Sequence, residues 1–296
     1  MQIIVIGKNG QVSTSLVLEL ERRKIPFLNY GRAILDLEDS NSIKSFLESL
    51  EFKEAEGKKI IINAAAYTNV EKAEDEFQKA VKINSEANKI LADYTYKNNI
   101  LLVNYSTDYV FNGNKSEPYI EADPTDPINS YGKSKLMGEN AIRSITDNFL
   151  ILRTSWVFSH IGTNFVKKIY SLLKSQKEIK VIDDQKGCPT SSRFIADATI
   201  SLIDKYKTTQ QIAEVINIAQ PGPISWYGFA NSISSLIKES SKANIISVSS
   251  DEFQTKAKRP KNSVLSNTKL KNILSLKEVE NWYEDLKRVI KVIENE

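Results

Sequence analysis

The chain has 296 residues, of which 41% are hydrophobic and 26% charged, a globular profile with room for one large or two modest domains. Its net charge of +3, spread over scattered basic residues, is too weak to indicate a nucleic-acid partner. The single cysteine, Cys188, excludes an internal disulfide, the single histidine, His160, gives a Ser-His-Asp triad or histidine-built metal site little to stand on, and no apolar run approaches the ~20 residues of a membrane helix.

Residues Gln2–Ile6 read as an apolar strand of the buried parallel kind. Met1 leads straight into it, so no secretory signal is expected, and the expected location is cytoplasmic. Gly7-Lys8-Asn9-Gly10-Gln11-Val12-Ser13 then opens a helical pattern through Leu16, Leu18 and Leu20. Strand, glycine turn and helix make a dinucleotide entry. The glycines let the backbone approach a pyrophosphate, and free N–H groups at the helix N-terminus face it. Ser13 stands where a third glycine would complete the turn.

The second strand, Pro26–Tyr30, is followed by Gly31-Arg32. An acidic residue at its end would hold the ribose of NAD, but Asn29, Tyr30 and Arg32 stand there instead. A 2′-phosphate meets no carboxylate, and Arg32 can pair with it, so NADPH is the expected cofactor and NADH the alternative. Asp36-Leu37-Glu38-Asp39 caps a helix across Ile43–Leu50. The next strand, Lys59–Asn63, is closed by Ala64-Ala65-Ala66-Tyr67, whose small residues let a flat cofactor lie against the backbone. A helix over Glu76–Ala87 carries Asn84, and a longer one is expected over Glu86–Asn98. The alternation predicts an α/β fold with a doubly wound parallel sheet of Rossmann type.

The run Ile100–Val103 leads into Asn104-Tyr105-Ser106-Thr107-Asp108-Tyr109, a strand end presenting small hydroxyls. A polar loop, Asn112–Asn129, precedes Tyr131-Gly132-Lys133-Ser134-Lys135. Four residues apart on a first helical turn, Tyr131 and Lys135 share a face. A free tyrosine has a pKa near ~10. A nearby ammonium favours its phenolate and is expected to bring it into working range. With Thr107 on a carbonyl oxygen, Tyr131 giving a proton, and Lys135 tuning Tyr131 and holding a ribose, these residues form a carbonyl-reducing set.

After the strand Phe149–Arg153 the rhythm changes, from about Ile161. Short strands over Lys180–Ile182, Val215–Ile218 and Ile245–Val248 predict a smaller C-terminal α/β lobe. The expected division is an NADP-binding domain over 1–160 and a mainly substrate-binding lobe over 161–296, with some segments returning to the first domain.

These motifs resemble the extended short-chain dehydrogenase/reductases and, within them, the dTDP-4-dehydrorhamnose reductases. The first half carries Gly7 to Val12, Asn63-Ala64-Ala65-Ala66-Tyr67-Thr68, Tyr105 to Phe111 and Tyr131 to Lys135. The second adds Leu152-Arg153-Thr154-Ser155-Trp156-Val157, Asn164-Phe165-Val166-Lys167, Asp183-Asp184-Gln185, Cys188-Pro189-Thr190, Ser225-Trp226-Tyr227-Gly228 and Arg259-Pro260-Lys261-Asn262-Ser263. The resemblance implies Thr107, Tyr131 and Lys135 as the catalytic set, with Asp108 beside them at the sugar. It implies Gly10, Gln11, Val12, Asp36, Leu37, Ala66, Tyr67 and Tyr105 along the cofactor, beside the Gly7, Tyr30, Arg32 and Ala65 of the turn and strand ends. It places Trp156, Asn164 and Phe165 at the nucleotide sugar, and Arg259, whose planar fork suits phosphates, at its diphosphate.

The implied reaction is reduction of the C4 keto group of dTDP-4-dehydro-L-rhamnose to dTDP-L-rhamnose, for surface polysaccharide such as O-antigen. Ser15 and Arg193 stand where some relatives carry carboxylates around Mg²⁺, and near the C-terminus the match falls close to Val292, with Glu294 nearby. No metal is therefore expected, and the chain should be a monomer or a weak, metal-independent homodimer. Two other readings stand beside this one. One is a 4-keto reductase for another nucleotide-linked deoxysugar. The other is a non-catalytic, cofactor-binding regulatory subunit.

Overall fold

The structure is a computed structural model that describes residues 1–52, 57–238 and 242–295. Its first half alternates: β1 (Gln2–Ile6), α1 (Gln11–Arg22), β2 (Phe27–Tyr30), α2 (Ser40–Glu48), β3 (Lys59–Asn63), α3 (Val70–Ala73), α4 (Phe77–Val81), α5 (Ala87–Lys97), β4 (Leu101–Thr107), α6 (Ser130–Ile145) and β5 (Phe149–Thr154). Shorter pieces follow: β6 (Val157–Phe158), α7 (Phe165–Ser175), β7 (Glu178–Ile182), β8 (Lys186–Gly187), β9 (Thr190–Ser191), α8 (Ser192–Lys205) and β10 (Ala213–Ile218). The chain closes with β11 (Ile224–Ser225), α9 (Trp226–Leu236), β12 (Asn244–Val248), α10 (Thr268–Ile273) and α11 (Trp282–Ile293).

Six strands form one parallel sheet in the order β10-β5-β4-β3-β1-β2. Apolar runs such as Ile60-Ile61-Ile62 cannot expose either face to water, so helices cover both. Ile60 and Ile62 pack into the cluster holding Leu16 and Ile195, while Ile61 packs on the other side with Phe46 and Leu91. The chain reverses its direction of travel between β1 and β3. There the carboxyl ends Ile6 and Asn63 lie side by side, which opens a crevice of the kind that holds dinucleotides.

Two elements differ from expectation. The helices expected over 76–87 and 86–98 are one rod, because α4 runs into α5 through a π-helical turn, Lys82–Glu86. The wide turn contains Asn84, whose side chain bonds outward rather than to its own helix. Val215–Ile218, expected among the short strands of the smaller lobe, belongs to β10 and edges the main sheet beside β5. Ile216 and Ile218 are fully buried there, and α8, which leads into β10, packs on α1. Of the remaining C-terminal elements, α10 packs on β10 at the main sheet, while α7, α9 and α11 enclose a separate core against the β7–β12 pair.

Beneath the carboxyl end of the sheet, Arg153 of β5 grips Glu139 of α6 through two bonds, Nε to Oε1 at 3.0 Å and Nη2 to Oε2 at 2.7 Å. Their side chains are 2% and 0% exposed, so neither charge has water to fall back on. Removing one partner strands the other, and a broken buried pair costs ~3–5 kcal/mol. Glu139→Ala should therefore lower the urea midpoint of unfolding by that much stability at an unchanged slope. An unaltered midpoint would show that the pair is dispensable.

Candidate active site

β4 is buried along its whole length and delivers Thr107 to the carboxyl edge of the sheet. Thr107 caps a short 3₁₀ turn, Asp108–Val110. Its hydroxyl accepts from Tyr109 N at 3.2 Å and donates to Asp108 Oδ1 at 2.9 Å. Across from it, α6 begins at Asn129, whose side chain accepts from Gly132 N at 2.7 Å. Gly132 is required here, since a Cβ would stand 2.2 Å from the Tyr109 carbonyl oxygen. That close approach brings Tyr131 to Thr107 and Asp108, with the Tyr109 and Tyr131 rings 6.1 Å apart, edge to face.

Lys135 lies one turn further along α6 and is buried. Its Nζ donates to the Tyr105 carbonyl at 2.6 Å. Burial pulls it down to about 8, against the opposing pull of Glu139. Lys135 is not what sets the Tyr131 hydroxyl in this arrangement. Crowding around the Tyr131 hydroxyl pushes it up to about 12, against the influence of Thr107, and the charge of Asp108 adds to the rise. The reason is distance in function rather than in sequence: Lys135 spends its ammonium on a backbone carbonyl. Tyr131 is thus held as a neutral phenol at neutral pH, the form a proton donor needs. Tyr105 meets Lys135 through that carbonyl, while its ring lies in the core and its hydroxyl pairs with Thr199 at 2.8 Å.

On the cofactor side, Gly7 has φ +116°, and a Cβ would stand 3.0 Å from the Ala64 and Ala65 backbone, so only glycine lets β1 turn there. Gly10 is the N-cap of α1 and offers no capping side chain, which leaves the N–H groups of the first turn without that partner. Ser13 is fully buried, and its hydroxyl has no partner among the described residues. The Tyr67 backbone after Ala65 and Ala66 is clamped by Asn84, which accepts from Tyr67 N at 2.9 Å and donates to Tyr67 O at 3.0 Å. Asn84 also donates to Ser134 on α6 at 2.9 Å, tying the cofactor strand to the helix of Tyr131. Sequence reading placed Asn84 on a helix and gave it no role.

Tyr30 ends β2 and packs its ring edge on Phe46. Arg32 is exposed and already paired with Asp36 at 3.1 Å and Glu38 at 3.2 Å, and Lys79 reaches the same Glu38 at 3.3 Å. Leu37 is buried between those two acids.

Beyond β5, Trp156 has φ +46° and lies flat on Trp226, with centroids 3.4 Å apart and planes at 4°. Trp226 is a partner that sequence reading quoted without a role. Phe165 tilts against Trp226 at 4.5 Å. Asn164 caps α7 and donates to Gln11 Oε1 at 2.9 Å, an acceptor shared with Ser159 at 2.8 Å. Arg259 pairs with Glu71 at 2.5 Å and reaches the Tyr109 hydroxyl. Burial raises the Glu71 carboxyl, but Arg259 outweighs it and holds the group below its usual range.

Ser15 bonds Ser192 at 2.7 Å, and Arg193 bonds Asp285 at 2.6 Å and Glu280 at 2.7 Å. Among the described residues no group of three or more His, Cys, Asp or Glu could hold a metal ion. Among them, too, no helix is long and apolar enough to cross a membrane.

The family described as RmlD substrate binding domain matches residues 1–295. A dTDP-4-dehydrorhamnose reductase of Sinorhizobium fredii is 35% identical over 294 residues, covering 98% of this chain and 97% of its own. The chain belongs to the dTDP-4-dehydrorhamnose reductase family. Solved family structures agree along the whole fold. The enzyme of Clostridium acetobutylicum superimposes with a TM-score of 0.89 at 32% identity, over 99% of this chain and 100% of that one. That of Bacillus anthracis, in complex with NADP, gives 0.88 at 31%, over 98% and 99%.

Tyr131→Phe keeps the ring and removes the proton. It should lower the turnover of a keto substrate by ~100-fold or more with little change in unfolding midpoint. Normal turnover in that variant would remove Tyr131 from its role.

Proposed function

We propose that this reductase-family chain reduces the C4 keto group of dTDP-4-dehydro-L-rhamnose with NADPH, giving dTDP-L-rhamnose. The observation that carries the reading is the side-chain group of Thr107, Asp108 and neutral Tyr131 at the carboxyl edge of the sheet, beside the glycine turn. A dinucleotide fits the residues present. The glycine cradle at Gly7 excludes any side chain, and the first turn of α1 presents N–H groups suited to a pyrophosphate. Gly10, Gln11 and Val12 would hold that pyrophosphate, Asp36 and Leu37 the adenosine end, and Ala65, Ala66 and Tyr67 the flat surface beside it. When bound, NADPH supplies the hydride.

The protein's own groups do the rest. Thr107 and Tyr131 donate to the ketone oxygen as negative charge develops there, and Tyr131 releases its proton to it. Lys135 braces the strand end under Tyr131 and reaches the cofactor ribose. Trp156, Asn164 and Phe165 form the wall for the nucleotide sugar, and Arg259 turns from Glu71 to the diphosphate, two phosphates outbidding one carboxylate. The cofactor domain is residues 1–160 with α8, β10 and α10 added, and the remaining C-terminal segments form the substrate lobe. No metal is required, because Thr107 and Tyr131 handle the ketone oxygen and Arg193 already pairs with Glu280 and Asp285, and the chain acts as a monomer or weak metal-independent homodimer.

The reading is tested by adding dTDP-4-dehydro-L-rhamnose to protein and NADPH in the presence of EDTA. The expected result is loss of NADPH absorbance with formation of dTDP-L-rhamnose. No turnover even after Mg²⁺ is restored would overturn the substrate, and turnover only after Mg²⁺ is restored would overturn the metal-free mechanism.

Arg32 reads the 2′-phosphate by exchanging its two carboxylate partners for it, with Lys79 close behind. Arg32→Ala should raise KM for NADPH ~10-fold, about the worth of one charge-assisted contact, and leave KM for NADH nearly unchanged. An equal rise for both cofactors would show that Arg32 only supports its loop.

A further inference from the structure

We propose that the side-chain amide of Gln185 pairs with the 2,4-dione edge of a pyrimidine base, thymine or uracil, on the nucleotide sugar. The inference deepens the nucleotide-sugar reading above and rests on it. Gln185 ends the run Asp183-Asp184-Gln185 between β7 and β8. The first two residues are spent on the scaffold. Asp183 accepts from the Ser225 and Ser247 hydroxyls, and Asp184 accepts from Ser250 N at 3.0 Å and Ser250 Oγ at 2.6 Å. Gln185 is only 6% exposed, yet its amide makes no hydrogen bond to any described residue. Neither polar atom of that amide is sealed from solvent, so the group faces a crevice. An amide has one acceptor and two donors to satisfy, and leaving them bare in such a place is costly unless a ligand supplies partners.

The backbone around Gln185 is fixed. Lys186 pairs with Ser225 of β11, its N–H donates to the Lys261 carbonyl at 2.8 Å, and its carbonyl accepts from Ser263 N at 2.8 Å. Alternate residues of an extended chain share a face, so Gln185 lies on the face of buried Gly187, opposite exposed Lys186. Gly187 sits under the Trp156 indole, where a Cβ would stand 2.4 Å from the ring. Trp156 is stacked on Trp226, and Asp183 sets Trp226 in place through Ser225, the N-cap of α9. Gln185 thus shares its face with the tryptophan ledge, while its strand is bonded to the run that begins at Arg259.

Two chemistries meet around this amide. Arg259 suits a diphosphate, and indole rings offer a flat surface on which a base can stack. A nucleoside diphosphate carries both groups. Cys188, three residues on, is the part of this segment that feels the Asp108 charge, so Gln185 stands back from the ketone end, toward the nucleotide. Thymine and uracil present N3–H between two carbonyl oxygens. An amide meets that edge twice, its oxygen accepting from N3–H and its nitrogen donating to a neighbouring carbonyl.

The test is calorimetric titration of dTDP, which lacks the sugar, into the full chain as wild type and as Gln185→Met. Methionine keeps the length of the side chain and removes the amide. The Kd for dTDP should rise ~10-fold with the unfolding midpoint nearly unchanged. dTDP methylated at N3 should bind the wild type ~10-fold more weakly than dTDP does. The variant should bind the two alike, because the bond that methylation removes is already gone. An equal methylation loss in both proteins overturns the proposal, since a residue that only supports the fold would give that result. Unchanged dTDP affinity in the variant overturns it too, and a raised KM for the keto sugar alone would place the amide at the sugar instead. A wild type that binds UDP and not dTDP, with the same loss in Gln185→Met, strikes the thymidine substrate and supports the base contact.

Discussion

The bidentate pair between Glu139 and Arg153 fixes the helix that carries Tyr131 and Lys135. Tyr131, Lys135 and Glu139 are spaced four apart, so they form one row along α6. With its lower end locked to β5 and no water nearby, α6 cannot rotate about its axis without stranding a charge. The Arg153 guanidinium also lies 5.2 Å over the Phe111 ring and donates to the Glu121 carbonyl, so the long polar loop is held by the same side chain. A pair of this kind contributes little net stability but excludes other arrangements, and here the excluded arrangements would misplace Tyr131.

A second polar network does similar service from the other side. Asn63 at the end of β3 donates to Asn88 at 2.8 Å, Asn88 donates to the Asn84 carbonyl at 2.7 Å, and Asn84 bonds Tyr67 and Ser134. The chain of amides crosses from the cofactor strand, through the π-turn, to α6. In an interior of low dielectric a satisfied network of this kind is stiff, because each unmade bond would leave a buried polar group bare. The helix of Tyr131 and Lys135 is therefore gripped between an ion pair and an amide ladder.

Much of this was legible in the sequence. Apolar runs such as Ile60-Ile61-Ile62 can only be doubly covered strands, and Gly7 marks a turn that no side chain allows. The Tyr131–Lys135 spacing is local, so the shared face was legible too. What was not legible is what depends on non-local neighbours. The direction of the Tyr131 shift follows from burial and from Asp108, and the use of Lys135 follows from the Tyr105 carbonyl across the sheet edge. Val215–Ile218 has the same composition whether it edges the main sheet or a small one, and only its pairing with β5 decides. Arg32 reads as a free cation until Asp36 and Glu38 fold back onto it.

Gln11 stands on the first turn of α1, yet its side-chain oxygen is held by Ser159 and Asn164, which open the path to α7 and the aromatic wall. A single amide therefore joins the first turn of α1 to the cap of α7. A ligand that ordered this amide at the α1 turn would order Asn164 with it, and a ligand at Asn164 would act on the α1 turn by the same contact. Thermodynamic linkage makes the two effects equal. By that linkage either ligand, whichever bound first, would spare the other the cost of ordering the Gln11 junction.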